Sequence, residues 1–127
     1  MKKIAIGSDP NATVLKNILK SHLLGQGYFV EDFGKDDPVY ANVAIEVAEK
    51  VAAGQFERGV LLCGTGIGVN LAANKVAGAY AVVASDAYSV ERSIKSNNAN
   101  ILTFGSLVTG PEAAKTLIDI WFGSSYE

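Results

Sequence analysis

The segment VLLCGTGIGVNLAANK, residues 60–75, sets the only cysteine of the sequence, Cys63, directly before Gly64, Thr65, Gly66, Ile67 and Gly68. A thiol at the end of an apolar run, followed by glycine at every second position, is a pairing with chemical use. Glycine accepts positive φ and lets the backbone approach a bound molecule closely. If the stretch turns from strand into helix, its free amides and the helix dipole favour negative charge. The same field favours a thiolate, so a proton acceptor and a cradle for an anion would adjoin. The competing reading is packing alone, because a lone cysteine ending a buried strand is commonly a small inert hydrophobe.

Other chemistries fit the loop poorly. Its spacing is G-x-G-x-G rather than G-x-G-x-x-G, it falls in the third strand–helix unit, and only the region of Asp86 offers an acidic residue at the distance a dinucleotide site needs. The phosphate-binding pattern G-x-x-x-x-G-K-[ST] is absent. A cysteine hydrolase would need a histidine base, and the only histidine, His22, belongs to the first helical segment, away from the loop ends. One cysteine and one histidine make neither an internal disulfide nor a zinc cluster of the usual spacing.

The elements that must position this loop follow from patterning. With 127 residues, 49% hydrophobic and 19% charged, the sequence predicts one folded domain over 1–127. A formal net charge of −2 gives no electrostatic reason to expect nucleic acid or an anionic membrane as partner. MKKIAIGSD has the lysines of a leader but only a three-residue apolar run, and no stretch approaches the roughly 18 apolar residues of a membrane span. The expectation is a cytoplasmic protein. Five short apolar runs, KIAIGS, YFVEDFG, GVLLCG, YAVVAS and NILTFG, read as strands. Helical segments follow them over 11–27, 38–54, about 66–75, 87–95 and 112–122. In the first, Val14, Leu15, Ile18, Leu19, Leu23 and Leu24 form the apolar stripe, with Lys16, Lys20 and Gln26 away from it. Runs apolar on both faces, such as VLLC and AVVA, belong in a parallel sheet covered on both sides. The alternation therefore predicts a three-layer α/β/α sandwich with a five-stranded parallel sheet, whose ligands bind beyond the carboxyl ends of the strands.

CGTGIGVNLAANKVAG, with KKIAIGSD ahead of it and NNANILTFGS behind it, resembles the ribose-5-phosphate isomerase B and galactose-6-phosphate isomerase family over essentially the whole chain. The resemblance implies a Rossmann-like sandwich and a homodimer or higher assembly with active sites between subunits. It also implies metal-free and cofactor-free aldose–ketose isomerisation of a small sugar or sugar phosphate through an enediolate. Cys63 matches the family's base and Thr65 its hydroxyl partner, and the amides from Gly64 through Gly66 and Ile67 to Gly68 would hold the enediolate. Asp9 matches an aspartate that binds sugar hydroxyls; read without the family, it is equally a turn residue or helix N-cap. Asn97 matches an asparagine that reaches the neighbouring subunit's substrate, and its alternative is a polar residue in the SNNAN turn. The apolar end IDIWF, residues 118–122, suggests a contact surface for a second copy.

The sequence also departs from that pattern. Pro10 stands where a histidine usually follows the aspartate, Ser96 where a ring-opening histidine usually precedes the asparagine, and Leu107 where an arginine often follows GS. The loop between Gly34 and Pro38 is short, and no arginine-bearing tail follows YE. Arginine's fork is the natural partner of phosphate, so the thiol machinery is retained while the grip on substrate is altered. Three expectations compete. One is an isomerase of an open-chain, short or unphosphorylated sugar. The second is a subunit completed by a paralogue. The third is a non-catalytic sugar-binding protein, which would have no need of the thiol.

Overall fold

The computed structural model describes residues 2–127. Five parallel strands, β1 (Lys3–Ser8), β2 (Phe29–Phe33), β3 (Arg58–Cys63), β4 (Ala81–Val83) and β5 (Ile101–Gly105), form one sheet in the order β2-β1-β3-β5-β4. The helices are α1 (Thr13–Gly25), α2 (Tyr40–Ala52), α3 (Ile67–Ala73), α4 (Ala87–Lys95) and α5 (Pro111–Phe122). Side chains alternate between faces along a strand, and the register sets Ile6 beside Val60 and Val60 beside Leu102. These residues meet α1, α4 and α5 on one face, in a core that includes Leu19, Ile94, Ile118 and Trp121. Ala5, Leu61, Cys63 and Ile101 meet α2 and α3 on the other, against Val43, Val47 and Val69. The predicted three layers are present, and Cys63 belongs to the α2/α3 side. Among the described residues no helix is long and apolar enough to cross a membrane.

Three details differ from the sequence reading. The first helical segment opens with a 3-10 turn over Pro10–Ala12 before α1 begins. The buried face of α1 is Leu15, Lys16, Leu19 and Leu23, while Val14 is 75% exposed. Lys16 lies inside because its ammonium meets Asp32 of β2 at 3.0 Å, with Lys20 at 3.7 Å from the same carboxylate, and a buried charge is tolerated only when paired. The IDIWF segment is not a contact surface. Ile118, Trp121 and Phe122 fill the chain's own core, and Arg58 stacks on the Trp121 ring at 5.1 Å while donating to the carbonyls of Trp121 and Ser124.

His22 joins α1 to α5 by a 2.7 Å contact with Asp119, which also accepts from the Gln26 amide at 2.8 Å. It is half-buried and lies on α1, away from the thiol loop, as the sequence reading expected. Burial alone would raise the Asp119 pKa, but the hydrogen bonds from Gln26 and His22 and the charge of His22 outweigh it and hold the carboxyl below its usual range. A carboxyl whose folded pKa is depressed stabilises the fold above its unfolded pKa, about 3.9, and loses that contribution as pH falls through the lower folded value. The melting temperature of Asp119→Asn should therefore lie below that of the parent at pH above about 5 and converge on it in stronger acid. A gap that widens on acidification would contradict this.

Candidate active site

The carboxyl ends of the three central strands bring the reactive residues into a row. Ser8 pairs with Leu62, the Asp9 amide donates to the Leu62 carbonyl at 3.2 Å, and Cys63 pairs with Gly105. Asp9 and the thiol thus flank the β1/β3 boundary, where the connections leave toward opposite faces and open the crevice expected of such sheets. Cys63 is 7% exposed. Its Sγ accepts the Gly66 N–H at 3.2 Å.

Steric necessity explains the glycines better than flexibility does. Gly66 has φ of 80°, and a Cβ there would lie 2.7 Å from the Phe104 carbonyl carbon. A Cβ on Gly105 would lie 2.5 Å from the Thr65 carbonyl carbon. With hydrogen at both positions the loop lies flat on the end of β5. There Thr103 Oγ1 donates to the Gly66 carbonyl at 2.7 Å, and the Ser106 and Leu107 amides donate to the carbonyls of Cys63 and Gly64 at 2.9 and 3.0 Å. The amide facing the sulfur is therefore fixed before any ligand arrives.

The structure divides the cradle expected from the sequence. The Gly66 amide serves the sulfur and the Ile67 amide donates to Thr65 Oγ1 at 3.1 Å, so neither faces the crevice unpaired. Gly68 falls in the first turn of α3, where amides have no preceding intrahelical carbonyl. Thr65 is exposed, and its hydroxyl proton remains free to donate because its oxygen is the acceptor. Asp9 Oδ1 accepts the Ala12 N–H at 3.1 Å, which realises the N-cap reading with one of the two carboxylate oxygens.

Asn97 lies apart from Cys63 within the chain. It lines a cavity of about 310 Å³ in the groove between α4 and the edge strand β4, together with Tyr88 and Arg92. Thr65 lines a second cavity of about 180 Å³ over the end of β5, with Ser85, Asp86, Ser89 and Thr103. Two residues here escape sequence reasoning. The Ser89 amide, donating at 2.8 Å, holds the Asp86 carboxyl below the usual range, so the rim of the Thr65 cavity carries a negative charge. The Tyr40 ring packs on Gly68, where a Cβ would come within 2.7 Å of it. Only the Asp86 cap has a local signal, the sequence S-D-A-Y-S before a helix. Among the described residues no three His, Cys, Asp or Glu side chains gather as a metal site.

A family profile described as Ribose/Galactose Isomerase matches residues 4–127. The chain belongs to the ribose/galactose isomerase family. It is 45% identical to ribose-5-phosphate isomerase B of Escherichia coli (strain K12), covering 100% of this chain and 87% of that protein. It is 43% identical to D-erythrulose-4-phosphate isomerase of Pectobacterium atrosepticum, covering 100% and 86%. Among solved structures, ribose-5-phosphate isomerase B of Clostridium thermocellum superposes with a TM-score of 0.94 at 38% identity, covering 98% of this chain and 86% of that one. In this member of the ribose/galactose isomerase family three of the departures, Pro10, Ser96 and Leu107, are exposed. Pro10 opens the 3-10 turn after Asp9. Ser96 caps the end of α4 and its Oγ accepts Arg92 Nε at 2.8 Å. Leu107 is 87% exposed, with Cδ1 3.5 Å from where a Gly64 Cβ would stand.

Proposed function

We propose that the protein interconverts the aldose and ketose forms of a short open-chain sugar phosphate, with Cys63 as the base. The Cys63 thiolate takes the proton from C2 of the aldose, the C–H electron pair forms the C1–C2 double bond, and the carbonyl oxygen becomes the enediolate oxyanion. Thr65 Oγ and the Gly68 amide donate to that oxyanion, and the carboxylate oxygen of Asp9 not used in capping accepts a sugar hydroxyl. The proton returns from sulfur to C1 while the O2 proton moves to O1, and the ketose leaves. The observation that carries this reading is the Gly66 N–H aimed at Sγ in a loop locked onto β5. Family relatives named for both a pentose and a tetrose phosphate support the substrate class, and Ser96, which has no group to assist ring opening, favours the tetrose. Tetroses, pentoses and hexoses with and without phosphate, assayed with the purified chain, should give fastest conversion of D-erythrulose 4-phosphate. No aldose from any of them would defeat the proposal.

The same reading makes the protein a symmetric dimer in which Asn97 serves the partner's Cys63 loop. Exposed apolar side chains of the β3–β5 half support it: Ile67, Leu71, Val83, Tyr88 and Val108 lie on α3, β4, α4 and the loop after β5. Sedimentation at micromolar concentration should give twice the chain mass of 13.3 kDa, and a monomer would count against shared sites.

A further inference from the structure

We infer that Arg92 of one subunit holds the terminal phosphate of the sugar bound at the partner's Cys63, which sets the preference for a four-carbon substrate. This rests on the isomerase reading above and on Asn97 reaching the partner's site.

The chain has two arginines, Arg58 and Arg92. Arg58 begins β3, at the opposite end of the strand from Cys63, and both of its terminal nitrogens donate to backbone carbonyls. Of the helix lysines, Lys16 and Lys20 are committed to Asp32 and Lys50 lies over the Phe33 ring, while Lys95 and Lys115 make exposed pairs with Glu91 and Glu112 and do not line the cavity that holds Asn97. Lys35 stands beside Asp36 and Asp37 in the connection after β2. Arg92 is differently placed. Its Nε donates to Ser96 Oγ, which orients the fork, while among the described residues Nη2 meets Glu127 alone, at 3.4 Å, and that carboxylate is 64% exposed. An exposed pair of this length is weak and exchangeable. A phosphate offers the same fork two oxygens and more charge, so it displaces Glu127. Asn97 lines the same cavity as Arg92, so any molecule reached by Asn97 lies within reach of the guanidinium.

Chain length follows from connectivity. In the furanose ring of a pentose 5-phosphate the oxygen on C4 closes the ring, whereas in a tetrose 4-phosphate that oxygen carries phosphorus. A subunit edge that addresses the C4 oxygen with Ser96 and Arg92, in place of an acid–base group, is suited to the second compound and not the first.

Three measurements on the purified protein test this. Arg92→Gln should raise KM for D-erythrulose 4-phosphate by about 10- to 100-fold, mostly in KM rather than kcat, with partial recovery in Arg92→Lys. Lys115→Gln, on α5 and outside the cavity that holds Asn97, should behave as the parent. Inorganic phosphate, titrated by calorimetry, should bind the parent, bind Arg92→Gln about 10-fold or more weakly, and bind Glu127→Gln more tightly. This arm reads the anion site even if no sugar is converted, which separates failure of the inference from failure of the isomerase reading. Finally, Cys63→Ser and Arg92→Gln chains, unfolded and refolded together, should form mixed dimers with one complete site and regain parental KM. Equal phosphate affinity in the parent and Arg92→Gln, or a mixture no better than the Arg92→Gln protein alone, would overturn the assignment.

Discussion

Cys63→Ser should fold as the parent does and lose isomerisation by about 10²- to 10⁴-fold or more, the range supplied by a positioned base. Folding should survive because the hydroxyl is smaller than the thiol and still presents an acceptor to the Gly66 amide that now donates to sulfur. Activity should not, because a serine hydroxyl surrenders its proton far less readily than a thiol, and the one histidine that could assist is held by Asp119 on the α1/α5 side. A circular dichroism spectrum and melting temperature close to the parent's, beside a collapsed kcat, is the expected pair of observations. As Cys63 is the only cysteine, iodoacetamide should modify a single site and inactivate the enzyme, and bound substrate should slow it. A folded Cys63→Ser protein with parental turnover would remove the thiol from the mechanism.

Ribose 5-phosphate should be a poor substrate, with kcat/KM below the ~10⁴ M⁻¹s⁻¹ at which ordinary enzymes begin. Its ring must open before C2 becomes acidic, and Ser96, exposed at the end of α4, has no group that exchanges a proton near neutrality. Leu107, lying against Gly64, offers the phosphate a hydrocarbon surface where the family pattern has a cation. Ser96→His should restore ring opening and raise ribose 5-phosphate turnover by about 10-fold or more, since acid–base assistance at one step is worth 10²–10⁴ when well placed. The side chain at this position is exposed, so the imidazole meets no packing obstacle. Parental turnover of ribose 5-phosphate above the stated floor would mean that another group opens the ring.

How much of this is legible in the sequence depends on whether the cause is local. The five strands and five helices are, because a strand covered on both faces must be apolar at consecutive positions, as in VLLC, and helices end at residues such as Gly27 and Gly54, both at positive φ. The strand order is not, since β5 entering between β3 and β4 is a matter of crossover geometry that no local pattern encodes. Lys16 looks like a solvent-facing lysine until β2 brings Asp32 against it. The thiol loop is legible as a unit, but the division of its amides between sulfur and the Thr65 hydroxyl depends on the left-handed turn at Gly66. Asp9 realises its capping reading with one carboxylate oxygen, which the D-P-N sequence signals locally. The Arg92–Ser96 pair is an ordinary one-turn spacing along α4, and only the cavity shared with Asn97 gives it meaning.

The contact between Gly66 and Gly105 has a consequence for how a lineage of such enzymes can change. Neither position admits even a methyl group without driving a carbon into the facing backbone, so the two loops can vary only together, and a single substitution at either breaks the site before it can alter it. Residues 10, 96 and 107 are under no such restraint; they stand at the surface, and replacing them leaves the thiol where it is. The glycines therefore hold the loop in one shape whichever sugar is bound, whereas residues 10, 96 and 107 can be exchanged without moving the thiol.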